Sequence, residues 1–197
     1  MKMARIEKRF VNRPQHAERI ISRAEKLLHF ADIREGQRFL EVGCGNGAVA
    51  RYVAKKYPLD VTGVDVDPDQ IRLAQASLDD DDNVGTHFLT VDATRLPFRD
   101  RDFNIVLSFG VMHHIANWLD AFEEIRRVLK HGGYFIYYDL IFTGLAAKFG
   151  RSFRHSYGIT TMQDLNSFVK ENNLVTLFTS IKKSPLWYNY EAVYQSR

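Results

Sequence analysis

Residues 38–65, R-F-L-E-V-G-C-G-N-G-A-V-A-R-Y-V-A-K-K-Y-P-L-D-V-T-G-V-D, constrain the fold of this chain more than any other stretch. A short apolar run (Phe39, Leu40, Val42) leads into Gly43, Gly45 and Gly47; an amphipathic segment follows, and a second apolar run ends on Asp65. That order is strand, tight loop, helix, strand, the opening of an open parallel α/β sheet. Glycine suits such a loop because it accepts positive φ and lets the backbone approach a ligand closely where the next helix begins. Asp65 closes the second strand, where open α/β sheets bind nucleotides and where a carboxylate can accept both hydroxyls of a ribose.

The glycines alone are ambiguous. Gly43, Gly45 and Ala48 also satisfy the G-x-G-x-x-G/A pattern of dinucleotide sites, and Asp65 follows at the spacing that pattern wants. Glu41, two residues before the first glycine, separates the two readings: a carboxylate aimed into the loop suits a cation and repels a pyrophosphate. S-adenosylmethionine carries an ammonium and a sulfonium and no phosphate. In E-V-G-C-G-N-G the sequence resembles the first motif of the class I S-adenosylmethionine-dependent methyltransferases. The resemblance implies a Rossmann-like, doubly wound sheet of about seven strands with an antiparallel last strand and helices on both faces. It places Glu41, Gly43, Gly45, Gly47, Asp65, Val66, Asp92, Ala93 and Phe109 around S-adenosylmethionine, with S-adenosylhomocysteine as product.

At 197 residues and 45% hydrophobic content the chain suits one α/β domain. Within it we distinguish an N-terminal helical segment (1–36), a cofactor-binding core (37–139) and a stretch, 140–160, where related enzymes build a substrate cover. A formal charge of +3 gives little reason to invoke nucleic acid or an anionic membrane. The sole cysteine, Cys44, forms no internal disulfide and suits a reducing cytoplasm, and a metal cluster is not expected. The first residues are basic but lack the apolar core of a secretion signal. The most apolar window, 134–149, is interrupted by Asp139 and is shorter than a spanning helix needs, so no membrane insertion is expected. The run from Asp79 to Asp82 reads as a solvated loop.

Along the chain, Ile20, Ala24, Leu27, Leu28 and Ala31 form a helical stripe over His16–Asp32, read first as a packing helix, with closure of Phe10, Arg13 or His16 over the donor as the functional alternative. Pro68–Leu78 is a second helix with proline in its first turn. Thr86–Ala93 is a third strand whose Asp92 and Ala93 resemble the family's adenine-contacting pair, with a turn cap as the lesser alternative for Asp92. Phe103–Phe109 is the fourth strand. The run G-V-M-H-H-I-A-N-W-L-D-A-F-E-E-I-R-R-V-L-K-H-G-G-Y-F-I-Y then follows the family's order of loop, helix, glycine turn and fifth strand, with His131 where a proline usually stands.

His113 and His114 are the candidates for a catalytic base, since imidazole takes protons near neutral pH; a loop-shaping role is the alternative. Lys148, Arg151, Arg154 and His155, interleaved with Phe149, Phe153 and Tyr157, suit either an acidic or aromatic acceptor or a plain surface helix. Thr161–Asn172 begins T-x-x-D and forms a helix, and Val175–Ile181 and Trp187–Tyr194, joined through K-K-S-P, form an antiparallel pair. The fourth strand ends S-F-G-V and not in the D/N-P-P-Y/F motif of nucleobase amino methylation, and no Pro-Cys pair is present for cytosine work. A small-molecule acceptor is therefore expected, with protein or RNA left open, as is the oligomeric state. The rivals are an NAD(P)-dependent oxidoreductase and a non-catalytic S-adenosylmethionine-binding subunit.

Overall fold

The computed structural model describes residues 12–78, 85–144, 146–147 and 158–197. Phe10, the run from Asp79 to Asp82, and the basic and aromatic residues between Lys148 and Tyr157 lie outside the described residues. The chain runs α1 (Pro14–Leu28), β1 (Arg38–Val42), α2 (Ala48–Lys56), β2 (Asp60–Asp65), α3 (Pro68–Ala76), β3 (Thr86–Thr90), β4 (Phe103–Phe109), a 3-10 turn (Met112–His114), α4 (Trp118–Val128), β5 (Leu129–Phe142), α5 (Met162–Glu171), β6 (Leu174–Lys183) and β7 (Trp187–Ser196).

The strands form one seven-stranded sheet in the order β3-β2-β1-β4-β5-β7-β6. Neighbours from β3 to β5 pair in parallel, whereas β7 runs antiparallel to both β5 and β6, the latter pairing being what the short K-K-S-P link requires. Side chains alternate faces along each strand, so successive core residues belong to opposite layers. Leu40, Val42, Val106, Phe135 and Tyr137 pack under α4 and α5, while Phe39, Ile105, Leu107, Ile136 and Val193 pack under α1 to α3. With both faces covered, the parallel strands read as continuous apolar runs. Phe122 of α4 anchors one layer, with its ring edge-on to Trp118, Phe135 and Tyr137 at 5.4, 5.8 and 5.4 Å.

Element ends follow local chemistry. Asp67 accepts from Asp69 N at 3.0 Å and Pro68 opens α3. Thr161 and Asp164 form the reciprocal capping box expected at the start of α5. The leading helix stops at Leu28, four residues earlier than its apolar stripe predicts, though Ala31 still packs against the core. β3 ends at Thr90, which leaves Asp92 and Ala93 just past the strand. The expected glycine turn between α4 and β5 is instead an excursion within β5: Leu129 pairs with Phe103, and pairing resumes between Ile105 and Tyr134. Gly132 takes φ +73 there, and His131 Nδ1 meets the Arg197 carbonyl oxygen at 2.7 Å. Among the described residues no helix is long and apolar enough to cross a membrane.

Candidate active site

The chain winds outward from β1 through β2 to β3 and then returns to place β4 on the other side of β1. Open α/β sheets bind ligands at such a reversal, outside the carboxyl ends of the strands. A cavity of about 870 Å³ lies there, walled by the carboxyl ends of β1, β2 and β4 and the loops after them, by the loop after β3, and by Tyr138, Asp139 and Leu140 of β5.

Glu41 sits near the end of β1 with 4% of its surface exposed, and its Oε2 has no hydrogen-bond partner. Burial pushes its carboxyl up to about 8; the Asp65 carboxylate adds to the rise and hydrogen bonding from the Ala50 backbone partly opposes it. An orphaned, buried carboxylate on a cavity wall costs stability unless a ligand supplies the missing charge. The loop that follows is shaped for close approach. Gly43 takes φ +75, and a Cβ there would stand 2.2 Å from Val111 Cγ2.

Asp65 braces this loop. Its Oδ2 accepts from Gly45 N at 2.9 Å and its Oδ1 from Asp67 N at 2.8 Å, so one side chain ties the β1 loop to the β2 loop. Asp92 Oδ1 accepts from both the N and Oγ1 of Thr94 at 2.9 Å, so the turn-capping role is present while the residue also faces the cavity. Val66, Ala93 and Phe109 line the cavity as well. Gly47 does not: it starts α2 at φ +74, and a Cβ on it would meet Phe88 Cζ at 2.6 Å, so its smallness serves packing against β3.

Both candidate histidines line the cavity, their ring centroids 3.9 Å apart. Sequence reasoning missed Asp139, whose side chain is fully buried and stands 2.5 Å from His113 Nδ1. The signal was available: an acid interrupts the apolar run of β5 at the strand's carboxyl half, where this architecture places its site. The packing helix also contributes to the site. His16 and Ile20 line the cavity from α1, and burial, then Arg19 and Arg23, lower the His16 imidazole. Arg23 stacks 3.7 Å from the Tyr138 ring centre and pairs with Glu191 at 2.7 Å, fixing α1 over β5 and β7. Cys44 offers no nucleophile, since burial, with Glu41 and Asp65 nearby, pushes its thiol well above the ordinary value.

A parallel sheet closed by an antiparallel seventh strand, with a glycine loop and carboxylates at the point of reversal, defines a Rossmann-like protein of the methyltransferase type. The sequence profile of a methyltransferase domain matches residues 40–137. The fatty-acid O-methyltransferase of Mycolicibacterium smegmatis is 39% identical over 110 residues, 55% of this chain and 39% of that protein. The probable phthiotriol/phenolphthiotriol dimycocerosates methyltransferase 2 of Mycobacterium ulcerans is 37% identical over 106 residues, 53% of this chain and 40% of that protein. The match thus spans about two-fifths of the length of these curated relatives. In structure, the geranyl diphosphate C-methyltransferase of Streptomyces coelicolor, solved with geranyl diphosphate and S-adenosylhomocysteine, superposes with a TM-score of 0.74 at 12% identity, covering 94% of this chain and 85% of that one.

The chain belongs to the class I S-adenosylmethionine-dependent methyltransferases, and S-adenosylmethionine is its cofactor. The residues present fit that group. The unpartnered Glu41 oxygen awaits a cation, the loop admits close backbone approach, and among the described residues lining the cavity there is no lysine or arginine to meet a pyrophosphate.

Proposed function

We propose that this chain moves the methyl group of S-adenosylmethionine directly to a small-molecule acceptor with an apolar body, releasing S-adenosylhomocysteine. The observation that carries the reading is the buried Glu41 carboxylate, which lines the cavity with one oxygen unpartnered. S-adenosylmethionine supplies an electrophilic methyl group on a sulfonium. Glu41 provides the negative charge that favours a cationic donor over a phosphate-bearing one. Asp65 holds the glycine loop and sets its carboxylate on the cavity wall as the acceptor for ribose hydroxyls, and Asp92 and Ala93 present an acceptor and a backbone donor to adenine.

The cavity is near the upper end of the roughly 300–1,000 Å³ typical of small-molecule sites, which leaves space beyond the donor. Ile20, Val111, Ile115 and Leu140 give that space an apolar lining. Relatives named for fatty acids and dimycocerosates, and a structural neighbour bound to geranyl diphosphate, support an acceptor rich in hydrocarbon. Catalysis then rests mainly on alignment of donor and acceptor, a source of up to ~7–11 kcal/mol. The lone buried Cys44 suits a reducing cytoplasm as the working compartment.

Calorimetry with S-adenosylmethionine and with NADH, followed by incubation with labelled donor and a panel of long-chain acids, alcohols, phenols and isoprenoids, tests the reading. Donor-dependent labelled product is the expected result. Binding of NADH without S-adenosylmethionine would replace it with an oxidoreductase, and donor binding without transfer would make the chain a cofactor-binding subunit.

A further inference from the structure

We propose that His113, held in place by Asp139, accepts the proton of a hydroxyl group on the acceptor, which makes the acceptor an alcohol or phenol and His113 a catalytic residue. The inference rests on the methyl-transfer reading above and adds to it the acceptor atom and the fate of its proton.

The geometry starts from the Asp139 carboxylate, which is fully buried in β5. Its Oδ2 accepts from Met112 N at 2.7 Å, and its Oδ1 accepts from Leu140 N at 2.7 Å. A backbone N–H can only donate, so both oxygens serve as acceptors. The same Oδ1 stands 2.5 Å from His113 Nδ1, and the imidazole therefore meets it as a donor from Nδ1. In the neutral ring that tautomer leaves the basic lone pair on Nε2. The main chain is fixed too: Gly158 N donates to His113 O at 3.1 Å, and a Cβ at Gly158 would overlap Met112 O at 1.9 Å. Three separate segments, β5, the 3-10 turn and the chain entering α5, thus hold one imidazole on the wall of the donor cavity.

The His114 ring lies beside this one at a tilt of 42°, but Asp139 bonds His113, which makes His113 the base and Asp139 its positioning residue. In the reaction the hydroxyl oxygen forms the new bond to the methyl carbon while the carbon–sulfur bond breaks and its electron pair returns to sulfur. The hydroxyl proton passes to Nε2, and the imidazolium so formed lies against the Asp139 carboxylate. A carboxylic acid is already ionised at neutral pH and needs no such base, whereas an alcohol or phenol keeps its proton until transfer.

Two measurements on the full chain test the assignment. In 15N-edited NMR of the imidazoles, the ligand-free chain at neutral pH should show His113 protonated at Nδ1, and Asp139→Asn should erode that preference; a dominant Nε2–H tautomer overturns the proposal. With S-adenosylmethionine present, nonylphenol should be methylated in preference to dodecanoate. His113→Gln should lower kcat on nonylphenol about 10²- to 10⁴-fold while KM and calorimetric donor affinity change little. Full turnover in His113→Gln, turnover of dodecanoate alone, or turnover of neither probe by a donor-loaded chain overturns the proposal. Failure to bind S-adenosylmethionine would instead sink the methyl-transfer reading, and the tautomer result would stand apart from it.

Discussion

Replacing Glu41 with glutamine should make the ligand-free protein more stable and its hold on S-adenosylmethionine weaker, both in a pH-dependent way. Burial, with Asp65 adding to it, moves the Glu41 carboxyl from its ordinary 4.5 up to about 8. Between those two values the folded chain binds a proton that the unfolded chain has lost, so stability falls as pH rises through that window. At about 1.4 kcal/mol per pH unit, the penalty reaches the order of 5 kcal/mol once pH passes the upper value. Glutamine keeps the shape and removes the penalty, so the gain in denaturation midpoint should grow from pH 5 to about pH 8 and then level off.

A cationic donor reverses this balance, because it favours the ionised carboxylate. At pH 7 the free protein carries about 0.9 proton on Glu41, and donor binding should release most of it. Affinity should then rise nearly tenfold between about pH 6 and pH 7 and flatten above about pH 8. Calorimetry of donor binding in buffers of different ionisation enthalpy counts the protons released. Subtracting the Glu41→Gln count removes any contribution from the donor's own amino group. If wild type and Glu41→Gln release the same number of protons, or bind the donor equally at every pH, the placement of Glu41 against the cation is refuted.

Asp65→Ala should weaken donor binding about 10- to 150-fold, from a charge-assisted hydrogen bond worth ~1.5–3 kcal/mol, and should also lower the melting temperature because Gly45 N and Asp67 N lose their acceptor; unchanged affinity would place the ribose elsewhere. Gly43→Ala should destabilise the chain by about 2–5 kcal/mol in urea titrations, combining positive φ with overpacking against Val111. Adding Val111→Ala should recover the overpacking share, and no recovery would mean the clash is not the cause. Thr161→Ala removes half of the capping box on α5 and should cost about 1 kcal/mol, seen as a melting temperature lower by ~2–4 °C; a smaller loss would show that packing of Leu165 and Phe168 alone holds that helix.

Much of the architecture was legible because its signals are local. The fourth strand occupies the predicted Phe103–Phe109, and T-x-x-D marks the start of α5. Glu41 and Asp65 come together because the strand-loop-helix-strand unit fixes their placement within one βαβ crossover. What the sequence concealed depends on distance. Asp139 reads in one dimension as a charge that interrupts an apolar run, and only the pairing of β4 with β5 brings it beneath the loop carrying His113. Gly47 shares the glycine pattern with Gly43 and Gly45, yet its neighbour is Phe88 on a strand that arrives only after another helix. The contribution of α1 was legible only in His16, named above as a residue that could close over the donor; Ile20 gave no sign, since an amphipathic stripe states which side is buried and not what else that side meets.

Phe142, the last residue of β5, donates to Thr160 O at 2.8 Å and bridges to Thr161. The insert between these positions therefore departs from and rejoins the sheet at a single stem. Main-chain pairing at this stem fixes where the returning chain meets β5 and hence where α5 begins, whatever side chains the stretch between carries.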